Sequence, residues 1–150
     1  EISCSLVGSE MCIRDSIETM RVHTLGRVIR SGGPIPNTNI PGLIGGFAGE
    51  RVLRAPCDGI FTAVHRIGDT VEEGETIGFV EGQPMKCTIS GVLRGVLDDG
   101  VPVKKGMKSG DVDPRCKPEY CTTISDKALA VGGGVVEAVL YLSAKAQGRR

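Results

Sequence analysis

Residues 54–80 read RAPCDGIFTAVHRIGDTVEEGETIGFV, and residues 86–112 read KCTISGVLRGVLDDGVPVKKGMKSGDV. Set 32 positions apart with no gap, the two stretches agree at seven of 27 places, where background usage would give roughly two. Four of the matches are glycines: Gly59 with Gly91, Gly68 with Gly100, Gly74 with Gly106, and Gly78 with Gly110. The other three are valines: Val64 with Val96, Val71 with Val103, and Val80 with Val112. Glycine recurs where a chain must turn with positive φ, so a repeated glycine spacing is a repeated set of turns. Between the turns lie short β-runs, such as Gly59–His65 and Thr76–Val80. Neither copy is long enough to bury a core alone. Two copies facing each other are.

Such a pair of facing halves resembles the barrel-sandwich hybrid of biotinyl and lipoyl domains, whose halves are related by a pseudo-two-fold axis. The expected fold is therefore mainly β: a barrel-sandwich hybrid at 50–114, a β and loop extension at 17–49, and a connector with a C-terminal α-helix at 115–150. Composition agrees. Phe47, Phe61, Phe79, Tyr120 and Tyr141 are the only aromatics, so the core must be built from Val, Ile and Leu, while 22 glycines suit a turn-rich chain. Eighteen basic residues balance 18 acidic ones with no basic run, which gives nucleic-acid binding little support. No uninterrupted apolar run approaches the length of a membrane span. The six cysteines follow no disulfide framework and no secretory leader is visible, so free thiols in the cytoplasm are expected.

Along the chain, residues 1–16 (EISCSLVGSEMCIRDS) show neither helical nor strand periodicity. They resemble a translated sequencing-adapter read-through and are set aside from fold reasoning; on that reading the gene continues upstream and this chain is a fragment. Ile17–His23 reads as the tail of a helix, and Leu25–Arg30 as a strand. Residues 31–42 form a proline- and glycine-rich loop. Leu43–Gly49 reads as a strand or a glycine turn, and Glu50–Pro56 as a strand leading into the first repeat. Beyond the repeats, 116–123 is an irregular connector. Ser125 is a plausible N-cap, with Asp126 in the first turn of the helix that follows. Gly132-Gly133-Gly134 either breaks that helix or presses it against another backbone, since each glycine costs about 0.8–1 kcal/mol relative to alanine in a helix interior.

Several of these stretches, among them Leu25-Gly-Arg-Val-Ile, Pro36-Asn-Thr, Ile40-Pro-Gly, Glu50-Arg-Val-Leu-Arg-Ala-Pro, Gly91-Val-Leu-Arg-Gly, Gly110-Asp-Val-Asp-Pro-Arg, Cys121-Thr-Thr-Ile-Ser-Asp-Lys-Ala and Val131-Gly-Gly-Gly-Val-Val-Glu-Ala, carry a further resemblance. Together they resemble the C-terminal part of the selenium-dependent molybdenum hydroxylase system proteins of the YqeB type. The resemblance runs from Ile17 to about Leu142. It implies a bacterial accessory or maturation factor for enzymes such as xanthine dehydrogenase, non-catalytic rather than an enzyme. It implies molybdenum cofactor or a selenium species as possible ligands, and the hydroxylase or its maturation machinery as partner. It further implies a nucleotide-binding domain upstream of these residues. A homo-oligomer is possible.

Five groups of residues are candidates for chemistry. Lys86, in Pro84-Met-Lys-Cys, lies between the repeats as a carrier lysine would, but only five residues before Gly91, about half the interval in carrier domains. The alternative is a solvated strand-edge lysine. Cys121 precedes a capped helix, and a helix N-terminus favours a thiolate able to take up sulfur or selenium. With Cys116 it makes a C-x4-C pair, too few ligands for zinc. Cys57 and Cys87 read as small apolar fillers. Ser125, Asp126 and Lys127 with Gly132, Gly133 and Gly134 could offer N–H groups to a cofactor's phosphates, against capping and close packing as the alternative. Asn37 and Thr38 sit in the stiff proline-glycine loop. His23 and His65 have no evident metal or catalytic partner by spacing, and Glu72-Glu73 and Asp98-Asp99 read as acidic turns in corresponding places of the two repeats.

Overall fold

The computed structural model describes residues 17–36 and 41–148. The expectations for residues 1–16 and for Asn37 and Thr38 lie outside the described residues. The chain forms two compact units: residues 39–123, and the flanking segments up to 38 and from 124 onward. Architecture is mainly β with one long C-terminal helix.

In the unit 39–123, eight strands follow one another: β1 (Val52–Arg54), β2 (Gly59–Ala63), β3 (Thr70–Val71), β4 (Thr76–Val80), β5 (Gln83–Lys86), β6 (Gly91–Val96), β7 (Pro102–Val103) and β8 (Lys108–Asp113). They form two four-stranded sheets, β1-β8-β6-β3 and β5-β4-β2-β7, with every pairing antiparallel. Among the described residues the strands make two open sheets and no closed barrel.

The 32-residue offset read from the sequence carries one sheet onto the other. Phe61 pairs with Val80 in one, Leu93 with Val112 in the other. Thr76 pairs with Lys86 in one, and Arg54 with Lys108 in the other. Hydrogen bonds between the halves come in matched sets. Gly68 N–H donates to Leu93 O at 2.8 Å and Gly100 N–H to Phe61 O at 2.9 Å. Gly74 N–H donates to Cys87 O at 2.8 Å and Gly106 N–H to Ala55 O at 2.9 Å. Each half thus satisfies turn donors of the other, which is why neither is complete alone. The turn glycines behave as their spacing predicts: Gly68 and Gly100 have φ of 102° and 82°, Gly74 and Gly106 of 86° and 79°. Gly78 and Gly110 instead serve close packing, Gly78 against the Phe61 ring and Gly110 against Leu53 of β1. The core lies between the sheets and is filled by Leu53, Phe61, Val71, Ile77, Val80, Met85, Leu93, Val103 and Val112.

Some local expectations need correction. Lys86 is the last residue of β5. Strand β1 begins at Val52, after a 3-10 helix at Gly49–Arg51; of the two readings of the stretch from Leu43 the glycine turn holds, closed by an Ile44–Phe47 bridge. Asp98-Asp99 corresponds at 32 residues to Arg66-Ile67, and Glu72-Glu73 to Lys104-Lys105, so the acidic turns are not equivalents. A second 3-10 helix, Pro118–Cys121, orders part of the connector.

In the other unit, Ile17–His23 is not helical and Leu25–Arg30 is not a strand; the two segments meet at a single Ile17–Val28 bridge, with a turn at Gly26, φ 80°. Short runs with one partner cannot build a ladder, whatever their propensity. Helix α1 spans Asp126–Ala146 without a break. Ser125 is its N-cap, accepting from Ala128 N–H at 3.2 Å. A Cβ on Gly134 would meet the Gly26 carbonyl, so that glycine is there for backbone contact. By length and composition α1 could cross a membrane, although the sequence offers no uninterrupted apolar run of that length.

Candidate functional site

The unit 39–123 offers three features: a groove at the junction of its halves, an ionic cluster on one sheet, and a bare apolar face on the other.

The groove, about 380 Å³, lies where the loop after β2 meets the loop after β6. Equivalent positions line it from both halves: His65 with Leu97, Arg66 with Asp98, and Ile67 with Asp99, joined by Ala63 and Val96. Duplication would make this groove symmetric in charge; divergence has left one lip basic and the other acidic. Asp99 reaches across, its carboxylate accepting from Ala63 N–H at 2.5 Å. His65 is held on both nitrogens, Nε2 3.1 Å from Glu75 Oε1 and Nδ1 3.4 Å from Asp69 Oδ2. Asp69 lies below the usual carboxylate range, chiefly because Arg66 N–H donates to it at 2.9 Å. Sequence spacing gave no warning of this clamp. The His65–Asp69 interval was visible, but Glu75 comes near only through the fold.

The ionic cluster sits at the end of β8. Asp113 is buried and accepts from Arg115 Nε at 2.9 Å, Arg115 Nη2 at 2.6 Å, Arg115 N–H at 3.1 Å and Arg94 Nη1 at 3.3 Å. The Arg115 side chain does most to hold its carboxyl down at about 2. Nearby, buried Arg51 donates to Val112 O, Asp111 Oδ2 and Gly42 O. Arg115 also stacks on the Tyr120 ring, 4.4 Å from its centroid.

These contacts roof the outer face of the β1-β8-β6-β3 sheet. The 3-10 helix Gly49–Arg51 packs on β8 and Pro118–Cys121 on β6. Under the roof, Val52 and Val92 are 8% and 1% exposed although neither belongs to the core between the sheets. Their equivalents on the other sheet, Pro84 and Ile60, lie in the open, Ile60 at 48%. Beside them Phe79 is 38% exposed, opposite Thr62 and Pro84 in the ladder. The outer face of β5-β4-β2-β7 is thus an uncovered apolar surface.

The residues singled out from sequence are distributed as follows. Cys121, in the unit 39–123, closes the Pro118–Cys121 helix, and its half-buried thiol donates to Leu93 O at 3.8 Å. Cys116 is exposed, with φ of 53°. Cys87 is buried, its thiol pushed up to about 11 by burial. Lys86 is exposed, four positions past the tight turn Glu81-Gly82 that joins β4 to β5. Ser125, Asp126, Lys127 and Gly132–Gly134 belong to the other unit. There Ser125 caps α1 and Asp126 is paired bidentately with Arg21, at 2.5 and 2.7 Å. Gly132 and Gly133 have open space where a Cβ would stand. No group of three or more His, Cys, Asp or Glu side chains is arranged to hold a metal among the described residues.

No family model matches the sequence. The uncharacterized protein YqeB of Escherichia coli (strain K12) is 46% identical over 126 residues, which make up 84% of this chain and 23% of that protein. The chain therefore spans about a quarter of the length of that relative. Among solved structures, that of an aspartoacylase family protein from Mesorhizobium loti is 17% identical, with a TM-score of 0.38 over 42% of this chain and 22% of that one. A likeness of that degree carries no argument.

Proposed function

We propose that this chain is a docking module of a longer cytoplasmic accessory protein, serving the maturation of selenium-dependent molybdenum hydroxylases. Its two sequence copies are then the halves of a barrel-sandwich hybrid of the biotinyl and lipoyl kind, each giving strands to both sheets, with the matched hydrogen bonds at 32-residue spacing as support. The pathway rests on the motif resemblance, and the 46% identity to YqeB is consistent with it. The single observation behind docking is the bare apolar face of Ile60, Phe79, Pro84 and Pro102; on the opposite sheet the equivalents of Ile60 and Pro84, Val92 and Val52, are roofed. Apolar surface left open on one of two equivalent sheets suits a protein partner, here the hydroxylase or its maturation machinery.

The cofactor reading has less behind it. Ser125 and Asp126 are occupied with capping and pairing, and the Asp126 carboxylate would repel a phosphate at the helix end. These residues do not fit a pyrophosphate cradle, and no step is routed through one. A carrier role for Lys86 is disfavoured because the exposed hairpin tip holds Glu81 and Gly82, with no lysine to offer a ligase. Sulfur or selenium transfer at Cys121 would need a base beside the thiol, and among the described residues its hydrogen-bond partner is the Leu93 backbone carbonyl.

Deleting the full-length gene in its host and assaying xanthine dehydrogenase in selenium-supplied cells tests the proposal. Activity is expected to fall to background and to return with the wild-type gene. An Ile60→Asp/Phe79→Asp variant of equal abundance is expected not to restore it. Undiminished activity in the deletion strain contradicts the maturation role.

A further inference from the structure

Helix α1 presents its faces in the reverse of the usual order. At about 100° per residue, its four charged residues Asp126, Lys127, Glu137 and Lys145 fall in one arc with Ala130, Gly134 and Tyr141. That arc is the one facing residues 17–36. Arg21 pairs with Asp126, Arg30 with Glu137 at 3.6 Å, and the Arg30 guanidinium stacks on Tyr141 at 4.5 Å. The opposite arc holds Leu129, Val136, Val139 and Leu140 and no charge, and all four are exposed. A helix normally turns its apolar stripe to a core. Here the unit has almost no core to offer: among its described residues the one buried large apolar side chain is Ile17.

The glycines sharpen the point. Gly134 is explained by the Gly26 carbonyl, but Gly132 and Gly133 face open space. Each costs about 1 kcal/mol in a helix interior, a cost that close approach by another surface would offset. One uncharged arc, two unexplained glycines and a missing core describe a layer lacking its other side.

We propose that this arc of α1 is the seat of the remainder of a longer polypeptide, which lays an apolar, uncharged layer on Leu129, Val136, Val139 and Leu140 and approaches closely at Gly132 and Gly133. The inference rests on the reading of the chain as a module of a longer protein. It draws on the relative in which the matching 126 residues are 23% of the whole. A bilayer suits the arc less well, because Glu137 and the bonded 17–36 segment would have to enter it or hold α1 along its surface.

The test places this chain in full-length E. coli YqeB in exchange for the matching residues, and compares it with the 150-residue chain alone by hydrogen–deuterium exchange. Peptides covering Leu129–Leu142 are expected to exchange at least about tenfold more slowly in the full-length protein. Val136→Lys/Leu140→Lys is expected to abolish that slowing there, while leaving the helical circular dichroism of the isolated chain unchanged. Unaltered YqeB, followed through its thermal transition, controls for folding of the exchange protein. Equal exchange in both proteins overturns the proposal. So does protection of the isolated chain that rises with its concentration alongside a sedimenting dimer, since a second copy would then be the occupant. Protection that appears only with phosphatidylethanolamine–phosphatidylglycerol vesicles overturns it as well. The hydroxylase assay is independent: slowed exchange with undiminished hydroxylase activity would leave the seat standing and remove the maturation role.

Discussion

The two sheets of the β unit share a strand order, a set of turns and, apart from a bulge between Leu93 and Gly95, a register, yet their outer faces have opposite fates. On β1-β8-β6-β3, Arg51, Arg94 and Arg115 are tied down by Asp111 and Asp113, and Val52 and Val92 disappear beneath the segments they anchor. On β5-β4-β2-β7, Pro84 and Ile60 occupy the same places and stay in the open. Backbone geometry was therefore kept through duplication while side chains diverged. The lesson is that turns and pairings in this fold are set by glycine positions and inter-half hydrogen bonds, and faces by what the flanking segments bring.

The sharpest way to break the comparison is to remove the anchor of the roof. Asp113→Ala strands the Arg115 and Arg94 guanidiniums beside a buried site and is expected to cost about 3–5 kcal/mol in urea denaturation. A loss under 1 kcal/mol would mean that the roof is held by something else.

Next come the paired glycines. A Cβ at Gly78 would stand 2.6 Å from both the Phe61 ring and the Thr62 carbonyl, whereas at Gly110 the nearest atoms, Gly95 O and Leu53 Cδ1, are 3.0 Å away. Gly78→Ala is expected to cost about 3 kcal/mol and Gly110→Ala about 1 kcal/mol. Equal losses in thermal unfolding would say that the halves are packed alike.

Acid should reach the roofed sheet before neutral conditions do. Asp113 titrates near 2 when folded, below its ordinary 3.8, so its stabilisation is complete above about pH 4 and is lost as pH falls towards 2. The expected loss is about 2 kcal/mol across that window, absent in Asp113→Asn, measured as the urea midpoint against pH.

The smallest contrast is between equivalent apolar positions. Val92→Ala is expected to cost about 1.5 kcal/mol and Ile60→Ala within about 0.5 kcal/mol, because the second side chain has little burial to lose. Matching costs in parallel denaturation curves would show the second face to be covered in solution.

Much of this fold was legible as sequence because the repeat was. Gly68, Gly74, Gly100 and Gly106 announced turns by spacing alone, and Ser125 announced the start of α1. The pairing of Gly134 with Gly26 was half legible: three glycines in a helix signalled either a break or a close approach, and not to what. Strand propensity misled at Leu25–Arg30, where one bridge is all the chain can offer. The site was harder still. The His65 clamp depends on Glu75 meeting it in space, and the roof on Asp113 depends on Arg94 and Arg115 arriving from different segments. Contacts of that kind leave no period in a sequence.

Backbone amide exchange followed by NMR tests most directly whether two copies of one half close on each other. Gly68 and Gly100 should be protected alike, as should Phe61 with Leu93 and Ala55 with Cys87, because each donates across to the opposite half. Protection confined to residues 54–80 or to 86–112, with the partner amides exchanging as an open chain does, would contradict the account.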